Sequence, residues 1–191
     1  MPNPFLSRER VHTWSEAIGA QSESHGSAIT RLLKDHRRLS RWVEENVASL
    51  QGMSGGVAMY MVGVILRMYD LAGGRLRKAT WDDVRAAEKR IGAVAGELLP
   101  VDDGFPARAR AVDRKQPHIL DEALYALFVR EPEEGSEEAE QQLDDLEAFK
   151  VYMLMWVATE VLDENWQPPK GFEGEATYTY APVDGEAKAE G

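Results

Sequence analysis

Two histidines in this chain stand one helical turn before a glutamate: His12 before Glu16, and His118 before Glu122. An i, i+4 spacing aims both side chains the same way on a helix, which lets an imidazole and a carboxylate hold one metal ion. Glu9 also stands three residues before His12, the spacing seen in carboxylate metal proteins. A di-iron four-helix bundle needs two such ExxH pairs and two further glutamates, whereas one ExxH is present here and HExxH is absent. From spacing alone the expectation is ordinary surface polar residues, with no metal and no cofactor.

A second set is the line Gly52, Gly56, Gly63, Arg67 and Asp70, which falls along one face of a helix. Missing side chains there leave a groove. Either another helix fills it, or it holds a flat ligand with Tyr60 beside it and Arg67 as an anion anchor. A partly buried Arg67 requires a carboxylate partner, and Glu160 is the one expected. His36 lies in an apolar stripe between Leu32 and Leu39. It is expected to face inward as a neutral core residue, or to act as a base or pH switch if a cleft opens beside it. Gly56, Tyr60, Gly63, Arg67, Glu160 and His36 therefore form the candidate ligand pocket.

Arg31, Lys34, Arg38 and Arg41 follow i, i+3, i+7 and i+10, giving one helix a basic face. This face is expected to dock an acidic element, from a partner or from the chain itself; contact with nucleic acid is the alternative. Gly73-Gly74-Arg75-Leu76-Arg77-Lys78 leads into a helix start, where N–H groups can bind an anion. GxxxxGK[ST] is absent, so a solvated basic turn is expected. Glu160-x-x-Asp163 resembles one half of the paired acidic motif of all-α nucleotide pyrophosphatases of the MazG type. Glu137-x-x-Glu140 has the matching spacing but belongs to the same expected helix, so no family is assigned. Nucleophile-elbow, Ser-x-x-Lys, Rossmann and EF-hand motifs are absent, and the lack of cysteine excludes disulfides, thiolate zinc sites and cysteine nucleophiles.

The elements that carry these residues read as helical. The 191 residues, 43% hydrophobic and 29% charged, suit one all-α domain over residues 5–166. It is expected as a bundle of four long helices plus a short N-terminal one. Val11, Trp14 and Ile18 mark the short helix after a Ser7 cap; a six-turn amphipathic helix spans about Ser27 to Leu50. The apolar run from Ser54, placed as a cap, to Leu71 falls short of a bilayer span and reads as a buried central helix. Thr80 caps the next helix, which Pro100 stops, and residues 101–116 read as a loop. Pro117 opens a helix closed by Pro132, and a last helix runs from Ser136 to about Asn165. Residues 167–191 form an extended or disordered acidic tail in which Tyr178 and Tyr180 add a strand or strap.

Charge is uneven: residues 1–115 hold 18 Lys+Arg and 14 Asp+Glu, residues 116–191 hold 4 and 19, so the halves carry +4 and −15. So acidic a chain is a poor binder of bulk nucleic acid or anionic lipid. The N-terminus lacks a signal-peptide apolar region, giving an expected cytoplasmic location. The leading functional expectation is a non-enzymatic protein that binds other protein chains, including a second copy of itself. The alternative is a small-molecule binder or enzyme using the glycine-lined face.

Overall fold

The computed structural model describes residues 2–50, 52–130 and 143–183. Among them stand eight α-helices and a two-residue strand pair, so the chain is mostly helical, as its periodicity indicates. Ser7 turns its hydroxyl onto the Arg10 amide and starts α1 (Arg8–Ala20), which buries Val11 and Ile18. α2 (Ser22–Asp35) and α3 (Arg37–Val47) replace the single helix expected over 27–50. The break is at His36, whose ψ of 43° leaves the helical region while its amide still bonds the Leu32 carbonyl.

α4 (Ser54–Ala72) is the central helix, with Ala58, Val62, Leu66 and Met68 almost wholly buried. Ser54 is its first residue and makes no capping bond, so the expected cap is absent. By length and composition alone α4 is apolar enough to cross a membrane, although in sequence its apolar run reads too short. In this fold it packs against α1, α2, α3 and α8. Gly73 and Gly74, at φ 77° and 84°, turn the chain out of α4 into β1 (Arg75–Leu76). Gly74 tolerates no side chain, since a Cβ there would lie 2.2 Å from the Gln167 carbonyl oxygen.

Thr80 caps α5 (Trp81–Ala95) through a capping box: its hydroxyl accepts from the Asp83 amide, and Asp83 accepts from the Thr80 amide. The segment expected as a loop contains α6 (Phe105–Ala111), with Pro106 in its first turn and Phe105 fully buried. Pro117 opens α7 (Pro117–Leu124), in which all eight residues are buried. A π-helical turn, Tyr125–Val129, extends it, and the Arg130 amide reaches back five residues to the Tyr125 carbonyl.

Asp144 caps α8 (Asp145–Asn165), the second apolar helix. Its expected start at Ser136, and the stop at Pro132, lie outside the described residues. α8 packs on α4, α5 and α7, with Trp156, Tyr152 and Leu162 fully enclosed. β2 (Trp166–Gln167) pairs antiparallel with β1. Beyond it the tail runs back over the domain as a strap: Glu175 forms an isolated antiparallel bridge with Phe5, and Tyr178 and Tyr180 reach α7 and α6.

Candidate functional site

The residues nominated from sequence do not form one pocket. Gly63 faces α2, where an added Cβ would lie 2.6 Å from Ile29 Cγ2, so that part of the glycine line is a close helix crossing. Gly56 faces open space. The expected Arg67–Glu160 pair is absent: Arg67 donates to His25 Nδ1 at 3.1 Å and to the Asp70 carboxylate. Glu160 lies on another side of the core, accepting from Arg90 at 2.7 Å and from the Trp156 indole at 3.1 Å. Desolvation works against the Arg90 charge, but the carboxylates of Glu160 and Glu164 outweigh it and raise its pKa.

His36 is buried as expected, yet it ends a helix rather than lying within one. Burial pushes its pKa below 6.5; Asp35 opposes this and Lys78 adds to it. It joins Arg31, Asp70 and Lys78 around a recess of about 390 Å³ where opposite charges are already paired, Arg31 lying 3.5 Å from Asp70. Arg31, Lys34, Arg38 and Arg41 are all exposed, but the break at His36 divides them between two helices, so they are not one continuous basic face. Among the described residues, Arg31 and Arg41 pair with Asp70 and Glu45 of the N-terminal half.

Tyr60 marks the larger opening, a cleft of about 540 Å³ between α1, α4 and α7. Met61, Val64, Ile65 and Met68 line its floor from α4. Their i, i+3, i+4, i+7 spacing puts all four on one face. Gly19 and Ala20 of α1 and Ala123 of α7 contribute small walls, which is why the space stays open. Ala126 lines it from the π turn, an irregularity found frequently at functional sites.

One end of this cleft is polar. Glu122 of α7 and Glu16 of α1 both line it, and His12, one turn before Glu16, completes a group whose ligand atoms lie within 4.8 Å of one another. His12 Nδ1 stands 3.1 Å from Glu122 Oε2 and 3.3 Å from Oε1. The buried Arg8 guanidinium also donates to Oε2 of Glu122 and fixes that carboxylate. Of the two i, i+4 pairs noted in the sequence, one is therefore used whole and the other by half. His12 and Glu16 converge as spaced, but His118 turns away from Glu122 to meet Glu175 at 2.8 Å.

This chain matches no protein-family model, and neither a curated protein nor a solved structure resembles it significantly. The site is therefore read from its own chemistry.

A polar cluster missed by the sequence reading lies on the other side of α7. Arg114 and Asp121, both with fully buried side chains, pair at 3.0 Å, and the Tyr178 hydroxyl donates to Asp121 at 2.9 Å. Burial alone would raise the Asp121 carboxyl, but bonds from His118, Arg114 and Tyr178 hold it below its ordinary value. The Tyr178 hydroxyl is pushed well up, by burial first and by Asp121 second. The aromatic repeat at 177–180 was the available signal. Nothing in the sequence told which helix it would cover.

Proposed function

We propose that the protein binds a small, compact and mainly apolar molecule in the cleft between α1, α4 and α7, with one polar end against Glu16 and Glu122. The observation that carries this reading is the cleft itself. Its volume of about 540 Å³ lies in the range of about 300–1,000 Å³ that small-molecule sites occupy. Its floor is apolar, while Ser15, Glu16, Glu122 and Arg130 add polar groups to the lining that can orient an asymmetric ligand. Met61 and Met68 are unbranched and adapt to shape, favouring a class of related molecules over one rigid substrate.

The test is thermal stabilisation by a panel of aromatic and branched aliphatic acids, alcohols and amines. A ligand at one hundred times its Kd adds about 2.7 kcal/mol, several degrees in Tm for a domain of this size. Ala126→Trp fills the mouth from an exposed position and should abolish the shift without lowering the basal Tm. Failure of the whole panel, or shifts unchanged by Ala126→Trp, overturns the reading.

The protein-binding reading keeps one specific support. Met53, just before α4, and Tyr60 within its N-terminal half, each 51% exposed, flank the open Gly56. This strip suits a second copy of the chain. Sedimentation equilibrium of wild type against Tyr60→Glu tests it, a monomer in both removing the dimer.

A further inference from the structure

We infer that His12, Glu16 and Glu122 bind a divalent first-row transition metal ion at the polar end of the cleft. Three observations converge on the same place. Donor chemistry comes first: one imidazole and two carboxylates are nitrogen and oxygen ligands of the kind zinc, manganese and iron accept, and three protein ligands leave a position open. Spacing is the second. Two ligands on a tetrahedral ion, each about 2.0–2.1 Å from it, stand roughly 3.3 Å apart. His12 Nδ1 lies 3.1 and 3.3 Å from the two Glu122 oxygens, so an ion can replace the bridging proton with little movement of either helix.

Charge is the third observation. Arg8 answers Glu122 at Oε2, leaving Oε1 for an ion, and a ligating carboxylate commonly has such an orienting partner. Glu16, by contrast, has no hydrogen bond or ion pair among the described residues, yet α1 brings its carboxylate into the same group. A second carboxylate beside the first raises the local negative charge and calls for a further cation. With a divalent ion bound, its two charges offset the two carboxylates, leaving the Arg8 guanidinium beside the site and Arg130 on the cleft lining as the net positive charge there. Here the inference rests on the reading above: the polar end of the cleft's ligand would be an oxygen donor, a carboxylate or hydroxyl, completing the coordination.

The experiment titrates metal-free protein with zinc chloride by calorimetry, without any organic ligand, and repeats it with cobalt chloride read by visible absorption. One ion per chain is expected, with cobalt giving the intense visible bands of a four-coordinate site. Glu16→Gln, at an exposed position, should weaken binding at least tenfold, and His12→Ala should remove the cobalt bands. Glu122→Gln is unsuitable alone, because it strands Arg8. Absence of stoichiometric binding, or binding unchanged in both His12→Ala and Glu16→Gln, overturns the inference. A chain that takes up zinc but answers to no organic molecule upholds the metal site and sinks the cleft ligand; the reverse pattern does the opposite.

Discussion

Asp121 shows how much one buried residue can hold. Its side chain is fully enclosed, with Arg114 at 3.0 Å and the Tyr178 hydroxyl at 2.9 Å. Asparagine at this position keeps the shape but removes the charge, leaving Arg114 as an uncompensated buried cation. Breaking a buried pair in this way costs about 3–5 kcal/mol, so Asp121→Asn should lower Tm at neutral pH by roughly 10 °C. The carboxyl is held below its ordinary value in the fold. Its stabilisation is therefore complete above the unfolded value near 3.8 and is lost as pH falls through the lower folded value. Asp121→Asn should accordingly show a shallower acid decline than wild type, and parallel declines in the two proteins would contradict this account. Glu160 stands in contrast. Its expected partner Arg67 was wrong because which arginine reaches a buried carboxylate depends on helix order in space, and the first 115 residues offer many arginines.

Several helix starts were legible in the sequence from local rules, although the cap expected at Ser54 was not formed. Ser7 caps α1, Thr80 and Asp83 box α5, Pro117 opens α7, and the two apolar runs form the central pair. The break at His36 was not legible, because Leu32, Leu39 and Val43 keep a helical period across it and only the tertiary path bends the chain. The metal triad was half legible for the same reason: His12 and Glu16 share a face by spacing, whereas the arrival of Glu122 depends on α1 packing against α7. Two predictions belong to this scale. Gly63→Ala puts a methyl 2.6 Å from Ile29; overpacking costs about 1–3 kcal/mol and outweighs the gain of up to about 1 kcal/mol in helix propensity. Gly56→Ala meets nothing within 4 Å and keeps that gain. Urea denaturation should move the two midpoints in opposite directions. At the α2–α3 break, burial holds the His36 pKa below 6.5. Its neutral form is favoured in the fold, so stability is full above about pH 6.5 and declines below it as the unfolded chain takes up the proton. His36→Asn should flatten the fall in Tm between pH 7.5 and 5.5 relative to wild type, and an equal fall in both would refute this.

The segments around Phe5 and Glu175 meet over α7. The Phe5 and Glu175 amides each donate to the other's carbonyl at 2.8 Å. Beneath them Gln116, held at φ 44°, spends its whole side-chain amide on the crossing: Oε1 accepts from the Leu6 amide, and Nε2 donates to the Pro4 carbonyl and to Asp163. The strap is thus the lid of a polar layer. Glu175 accounts for His118 Nε2, Tyr178 for Asp121, and the Tyr180 ring stacks on Arg110 with the guanidinium 3.9 Å from its centre. The uneven charge distribution raises the expectation that the acidic half partners the basic helix face. Among the described residues, pairings across the halves run through Arg8 to Glu122, Arg90 to Glu160 and Glu164, and Arg114 to Asp121. Deleting residues 172–191 should remove partners from two buried polar groups of α7, His118 and Asp121, at about 1–3 kcal/mol each, lowering Tm by roughly 10–20 °C. The core made by α4 and α8 meets the strap at its margin, through Phe172 on Trp166 and through Arg114 between Tyr178 and Tyr152, and should keep its helical circular dichroism. Amide hydrogen exchange separates the two regions: protection should fall by orders of magnitude over 117–124 and far less over 60–69. Uniform loss across both would make the strap part of one cooperative core, and unchanged protection over 117–124 would make it a passive tail. The metal triad shares α7 with this layer through Glu122, so the same truncation should also weaken zinc binding, tying the Phe5–Glu175 crossing to the cleft through a single short helix.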